Sequence, residues 1–402
     1  MSFVLRIIIV FLLVYLLEFY FLRKLVTSFT YVLSRINWKR YKIPLITLLV
    51  FLNLYPFCLL LFYIKGSVFP DNRLTDYLLV FPFWGYALIV IQTSLFFVFL
   101  LAIKGILYPV FKKNKSEYRD YEYKIVFILI LYFSLYIPAR IIFDYNTVSV
   151  RNVTIKKHNL NPALNNFRLV FISDIHADRH TGNKRLANYV HKVNMLHPDL
   201  VLIGGDLISS TPQYIETAAE YMGMIKSKYG VYSCRGDHDH WAYRPDTQKS
   251  IEAVTDELEK YNVHMLSNEN KILDTNGIKM LISFVTYTYP EKIGKEELDN
   301  LLSVKKQDFN IVLAHQPEGG IPQEASEKKY DLMLAGHTHG GQITFMFPFF
   351  NLSPTLIETK YVRGNFQIGN MFLIVTRGLG MSLVPFRLNS TPEITCITLE
   401  KD

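Results

Sequence analysis

Four apolar stretches crowd the first 145 residues and limit what this chain can fold into: Phe3–Leu22, Pro44–Ile64, Leu78–Ala102 and Lys124–Phe143. Each is long enough to cross the hydrocarbon core of a bilayer, which takes about 20 residues as a helix. In lipid the backbone must satisfy its own hydrogen bonds, so such stretches become helices. The first carries Arg6 and Glu18 but no small-residue cleavage site ahead of a soluble chain. Three more spans follow it, so it reads as an anchor and not a signal peptide. The third holds no ionised residue. The fourth holds Pro138, a kink position, and Arg140, whose stem can snorkel to the interface. No cluster of ionisable groups and no pair of glycine-broken segments marks a transport path. The expectation is a four-helix transmembrane region over residues 1–145 that holds the rest of the chain near lipid.

Charge asymmetry between the loops orients those spans. The first loop carries Arg23, Lys24, Arg35, Lys39, Arg40 and Lys42 with no acid; the third carries Lys104, Lys112, Lys113, Lys115 and Arg119; the second carries only Lys65 and Arg73. Positive loops stay in the cytoplasm, so with four spans both termini face the other side. That makes an integral, multi-pass protein of the cell or inner membrane with an extracytoplasmic second half. Arg151, Lys156 and Lys157, just past the fourth span, pull the other way. The net charge of +8 is largely this topology signal, and no nucleic-acid partner is expected from it. The three cysteines, Cys58, Cys234 and Cys396, are too scattered for a disulfide framework or a zinc ribbon and read as small core residues.

The second half is of a different kind. After a polar junction, residues 146–166, short apolar runs alternate with helical patterns over residues 167–402. Leu169–Ile172, Leu200–Ile203, Gly230–Ser233, Ile311–Ala314 and Asp331–Leu334 read as buried strands. Lys184–Leu196, Thr211–Lys226 and Lys249–Tyr261 carry apolar residues at helical spacing. Met371–Thr376 and Glu393–Leu399 alternate as β runs. The mixture predicts an α/β sandwich, two central sheets flanked by helices.

Each of the five strands ends in a carboxylate or an imidazole. The clusters are Asp174-Ile-His176, Gly204-Gly-Asp206, Gly236-Asp237-His238-Asp239, His315 and Gly336-His337-Thr-His339-Gly-Gly341. Singly, most of these are ordinary caps, turns or core histidines. Two imidazoles two residues apart between glycines have few structural uses and suit a metal. Carboxylate oxygens mixed with imidazole nitrogens suit Mn, Fe, Zn or Co. The set is too large for one ion and enough for two.

In this order, from about Phe167 to Leu399, the chain resembles the calcineurin-like metallophosphoesterase family, whose pattern is Asp-x-His, Gly-Asp, Gly-Asn-His-Asp/Glu, His and Gly-His-x-His. Gly340-Gly341-Gln342 is similar to a membrane-associated or exported branch of it. So are the later signatures Thr376-Arg377-Gly378-Leu379-Gly380 and Pro392-Glu393-Ile394. The resemblance implies a four-layer α/β/β/α sandwich. It implies a first ion on Asp174, His176 and His339, Asp206 bridging, and Asp237, His315 and His337 on the second ion. His238 would contact the phosphate and assist the leaving oxygen, and Asp239 would orient it. The one departure is Asp237, where the family has Asn; a carboxylate there would tighten the second ion and lower the site's positive charge. Two such ions would turn a water into hydroxide near neutral pH and clamp the phosphoryl oxygens. No Ser or Cys is placed for covalent catalysis.

Thr344–Leu352 follows the last motif and carries Phe345, Phe347, Phe349 and Phe350 around Pro348. It reads either as a packed loop or as an apolar lip beside the metals that touches the bilayer or an acyl chain. With four anchors upstream, the expected substrate is a lipid-linked or membrane-proximal phosphate. Two alternatives stand: a catalytically weak membrane protein that binds metal and phospholipid, and a diphosphatase for a diacylated UDP-sugar, as the resemblance offers. The latter substrate is cytoplasmic and conflicts with the topology above.

Overall fold

The structure, a computed structural model, describes residues 3–67, 69–111, 115–275 and 277–402, with side chains from residue 12 onward except 108–111 and 115. Its chain contacts divide it into two units, Met1–Ile142 with Phe345–Asn351 and Phe143–Thr344 with Leu352–Asp402.

The first unit is helical because its apolar runs are uninterrupted. It contains α1 (Phe3–Val32), α2 (Lys42–Leu52), α3 (Leu54–Ile64) and α4 (Arg73–Thr75), which leads through a π-turn at Asp76–Val80 into α5 (Phe81–Phe111). It ends with α6 (Lys115–Asn146), which runs on through Pro138 and whose last residues belong to the other unit. Two helices are long and apolar enough to span a bilayer: Arg73–Leu107 with mean hydropathy 2.4 and Ser116–Asn146 with 2.2. Trp38–Leu52 and Leu54–Ile64, bent by 43°, add a third if counted as one span. The described residues thus give two to three such helices where sequence predicts four. The predicted first span lies in α1, but the side chains of its opening residues fall outside the described residues, as do Lys112 and Lys113. Phe21, Val90, Phe97, Val126 and Ile130 form the inner contact of α1, α5 and α6. Outward, Ile128 (61% exposed), Leu135 (75%) and Ile106 (77%) are bare. An apolar surface of that extent marks a membrane or a partner.

The aromatic stretch after the last motif packs in this helical unit. Buried Gln92 donates to the Met346 carbonyl at 2.8 Å and accepts from its amide at 2.8 Å, as a neighbouring strand would. Phe347 lies 5.7 Å from the Phe99 ring and Phe349 5.9 Å from it. The stretch is therefore packed as far as Phe347, while Phe349 (84% exposed) and Phe350 (52% exposed) stay bare.

The second unit contains two mixed sheets. The first holds β1 (Ser149–Lys157), β2 (Arg168–Ile172), β3 (Leu200–Ile203), β4 (Val231–Cys234) and β5 (Val263–Leu266). The second holds β6 (Glu269–Thr275), β7 (Ile278–Val285), β8 (Phe309–Ala314) and β9 (Leu332–Ala335). After a two-residue ladder of β10 (Phe345–Met346) and β11 (Asn351–Leu352), it also takes in β12 (Gly364–Ile368) and β13 (Met371–Val375). The last strand, β14 (Glu393–Lys401), returns to the first sheet between β1 and β2. β2 to β5 run parallel, as do β7, β8, β9 and β13. The stretch read as a junction supplies β1, parallel to β14 at the edge of the sheet.

The two-residue period of a strand produces the layers. Val170, Ile172, Val201 and Ile203 face α7 (Asn183–Asn194), α8 (Ile215–Gly223) and α9 (Thr247–Lys260). Their neighbours Leu169, Phe171, Leu200 and Leu202 face Ile282, Phe284, Ile311 and Leu313 of the second sheet. That sheet's far side, with Leu281, Val312 and Met333, meets α10 (Lys295–Leu302) and α11 (Ile321–Glu327). Fully burying one such side chain is worth about 1.5–3 kcal/mol, so a strand shifted by one residue would lose several. That cost fixes the register of β2 and β3, and with it the residues that follow them. The cysteines are free; Cys234 and Cys396 are buried and Cys58 is half-buried.

Candidate metal centre

Because β2, β3 and β4 are parallel, their carboxyl ends share one edge, and so do those of β8 and β9. Ligand sites of open α/β sheets lie at such edges. Asp174 and His176 follow β2, Asp206 follows β3, Asp237 follows β4, His315 follows β8, and His337 and His339 follow β9. Five of these seven have left-handed backbone: Asp174 (φ 52°), His176 (46°), Asp206 (56°), His337 (69°) and His339 (50°). For a residue with a Cβ that conformation costs of order 1–3 kcal/mol, and it persists where a site requires it. Glycine makes room for the turns. A Cβ on Gly205 (φ 81°) would sit 2.5 Å from the Gly236 amide nitrogen, so the loops after β3 and β4 touch.

The turns gather the seven side chains into two groups, Asp174, His176, Asp206 and His339, and Asp237, His315 and His337, with the ligand atoms of each within 4.8 Å of one another. Asp206 joins them: its Oδ2 lies 3.3 Å from His176 Nε2 and 3.4 Å from His315 Nε2. The His176 and His339 Nε2 atoms face each other at 3.0 Å. His337 Nδ1 lies 2.8 Å from Asp237 Oδ2 and 3.3 Å from His315 Nε2. Inside the first group, Asp174 Oδ2 and His176 Nδ1 are buried with no hydrogen-bond partner among the described residues. Orphaned buried polar atoms are rare and call for an explanation. A cation beside them provides one, so carboxylates and imidazoles in this arrangement fit a pair of metal ions.

The surroundings aim these groups. His315 Nδ1 donates to the Gly204 carbonyl at 2.6 Å, which turns its Nε2 toward Asp206 and Asp237; metal-binding histidines are commonly oriented this way. Although burial opposes its charge, Asp206 is held well below the ordinary carboxylate range by His315, His238 and His176. Burial alone would lower His337, yet its hydrogen bonds to Asp237 and Glu358 carry it up to about 9. Burial pushes His238 down to about 4. Asp237, where the resemblance has Asn, is held by the Gln316 amide, which reaches both its oxygens at 3.0 and 2.9 Å, and by the Tyr289 amide at 2.5 Å. Three donor contacts accommodate its extra charge.

His238 stands in the cavity that opens over the two groups, about 300 Å³ in volume. Its Nδ1 contacts the Ser209 carbonyl and its Nε2 lies 3.2 Å from Ser382 Oγ. Asp239 does not orient this ring as expected. Its carboxylate instead accepts from the amides of Asp206 (3.0 Å), Leu207 (2.8 Å) and Gly236 (2.8 Å), which pins the two loops together. Nor do Phe345, Phe347, Phe349 or Phe350 line this cavity; its apolar wall is Trp241, Ile343, Pro354, Leu383 and Val384.

Several supporting residues were missed by sequence reasoning. Buried Arg387 binds the His339 and Gly380 carbonyls and approaches His339 Nδ1 at 3.3 Å. Gln342 donates to the carbonyls of Ser382, Val384 and Phe386 at 2.8–2.9 Å and so holds the loop that carries Leu383. Glu358 lies 3.2 Å from His337 Nε2. Gln316 and Gln342 adjoin motifs and could have been flagged on that ground. Nothing in the sequence singles out Arg387 or Glu358.

The family model of calcineurin-like phosphoesterases matches residues 167–341. Residues 167–341 thus form a calcineurin-like metallophosphoesterase domain, a metal-dependent phosphoester hydrolase with its metal-binding residues intact. The chain is 28% identical to an uncharacterised metallophosphoesterase of Campylobacter jejuni, over 87% of this chain and 90% of that one. It is 30% identical to a transmembrane protein with metallophosphoesterase domain of Bos taurus, over 63% of this chain and 57% of the relative. It is 26% identical to the phosphodiesterase YaeI of Escherichia coli, over 58% and 82% respectively.

Proposed function

We propose that this chain is a multi-pass membrane hydrolase that uses two metal ions to cleave a lipid-linked or membrane-proximal phosphoester. The observation that carries the dinuclear reading is Asp206, whose one oxygen lies 3.3 and 3.4 Å from an imidazole of each group. Asp174, His176 and His339 would hold one ion and Asp237, His315 and His337 the other, with Asp206 placed to serve both; Mn, Fe, Zn and Co suit these donors. When bound, such a pair acidifies water and offsets charge on the phosphoryl oxygens.

The protein's own groups do the rest. His238 is neutral near neutral pH, with Nδ1 fixed by the Ser209 carbonyl and Nε2 next to Ser382 Oγ, 3.2 Å away, on the wall of the cavity. An anionic phosphate beside Nε2 raises the imidazole's proton affinity, so the substrate charges its own acid, which then assists the leaving oxygen. Asp239 acts at one remove, by holding the Asp206 loop. The lipid preference rests on the rim. Leu383 is 98% exposed with left-handed backbone, and Ile357, beside the wall residue Glu358, is 93% exposed. Apolar side chains so bare beside a polar cavity suit an acyl chain or the bilayer surface. We further propose that α1, the α2–α3 pair, α5 and α6 cross the membrane, and that the loop charges place the catalytic unit, residues 167–402 in essence, outside the cytoplasm.

The test is to give the purified full-length protein Mn or Co and a chromogenic phosphodiester or monoester, then a cellular lipid extract read by mass spectrometry. Turnover should fall about 10²–10⁴-fold in His238→Ala with both ions retained, and a dephosphorylated lipid should appear. Metal-loaded protein that turns over neither ester nor lipid would leave a metal- and phospholipid-binding protein instead.

A further inference from the structure

The helical unit carries a second cavity, about 540 Å³ and open to solvent where Arg23 and Arg119 stand, far richer in cations than the metal centre. Its wall carries Arg23 and Lys24 of α1, Lys104 of α5 and Arg119 of α6, against one acid, Glu122. Glu122 is taken by Lys24 at 2.5 Å and Lys104 at 2.9 Å. Arg23 and Arg119 have no ion-pair partner among the described residues. Tyr20 also lines the cavity, and its buried hydroxyl has no hydrogen-bond partner among the described residues. A buried hydroxyl left unbonded costs about 1–3 kcal/mol, and two guanidinium groups are left without an anion. What the cavity lacks is an oxyanion with several acceptor oxygens.

We propose that this cavity binds the phosphate of an anionic phospholipid headgroup, at a site separate from the metal centre. Guanidinium groups recognise phosphate through paired hydrogen bonds, and a phosphate oxygen would also accept from Tyr20. The lipid source follows from the setting. The cavity sits among helices whose outer faces are bare apolar side chains, at the ends that lead into the most basic loops. Basic pockets between membrane helices on that side bind anionic headgroups, and tyrosines such as Tyr20 gather at the headgroup level. The volume falls in the range of about 300–1,000 Å³ usual for small-ligand sites.

Native mass spectrometry of the full-length protein, released from detergent with dioleoyl phosphatidylglycerol, dioleoyl phosphatidylcholine or inorganic phosphate, tests this without calling on enzymatic turnover. Phosphatidylglycerol should be retained in preference to phosphatidylcholine and should survive millimolar inorganic phosphate. Arg23→Gln and Arg119→Gln should each weaken it about fivefold, and together about thirtyfold, as expected for one basic residue apiece at a lipid surface. The pair Arg23→Lys/Arg119→Lys keeps the charge and should keep most of the binding. Equal retention of the two lipids, displacement of lipid by free phosphate, no loss in the double glutamine variant, or equal loss in the lysine and glutamine pairs would each overturn the assignment.

Discussion

Both units bury acids, and they treat them in opposite ways. In the helical unit two carboxylates meet donors: buried Glu18 accepts from Asn53 at 2.9 Å and Tyr86 at 2.8 Å, and partly buried Glu122 bridges two lysines. In the α/β unit Asp174, Asp206 and Asp237 crowd against imidazoles, and Asp174 keeps an oxygen with no partner among the described residues. Burying a charge is therefore not in itself the mark of a site, since a buried carboxylate with donors around it is stable and inert. What marks a site is charge left over after local pairing. The surplus is anionic in the α/β unit, which suits cations, and cationic in the helical unit, which suits an anion.

The sharpest way to break this contrast is to remove the carboxylate that serves both groups. Asp206→Ala should lower turnover by at least about 10³-fold, the scale of losing charge stabilisation at a transition state, and elemental analysis should find fewer than two metal atoms per chain. A variant that keeps both ions would show that Asp206 is a spectator.

A smaller effect concerns protons. Without metal, His315 and His337 are raised above their ordinary values by the carboxylates they face, His337 to about 9. Their protonated forms stabilise the metal-free protein below pH about 6.5, and the His337 contribution is lost as pH rises through about 9. Metal must displace those protons. Loading Mn at neutral pH should therefore release protons, seen as a buffer-dependent heat in calorimetry, and the gain in melting temperature on loading should grow between pH about 6.5 and about 9. No buffer dependence would mean that the second group is already deprotonated.

The smallest expected effect is in the helical unit. Gln92→Leu removes two hydrogen bonds to Met346, each worth about 1 kcal/mol net. It should lower the melting temperature slightly and leave hydrolysis of a soluble ester unchanged. A tenfold loss of turnover would show that the two units are not separable in function.

Much of the α/β unit is legible in sequence because strands and ligands are local signals. Leu169–Ile172 and Leu200–Ile203 coincide with β2 and β3, and the buried face of α7, Leu186, Tyr189, Val190 and Val193, follows from spacing alone. β1 is obscured by Arg151, Lys156 and Lys157, charges that an edge strand tolerates on its open side. Asp239 shows a different limit. A carboxylate beside a motif histidine invites an orienting role, but two of its three partners are amides 32 and 33 positions away in the chain. Gln92 and Met346, 254 residues apart, are likewise joined only by the fold.

That last pairing bears on how the hydrolase can be produced. Phe345–Asn351 belongs to the helical unit although the chain on either side of it does not. Expressing the catalytic half alone, by starting the chain at residue 143, would strip the segment of Gln92, Phe96 and Phe99 and leave Phe347 and Phe349 without the rings they pack on. Such a fragment is expected to aggregate unless those phenylalanines are replaced by polar residues or the segment is shortened to a tight turn.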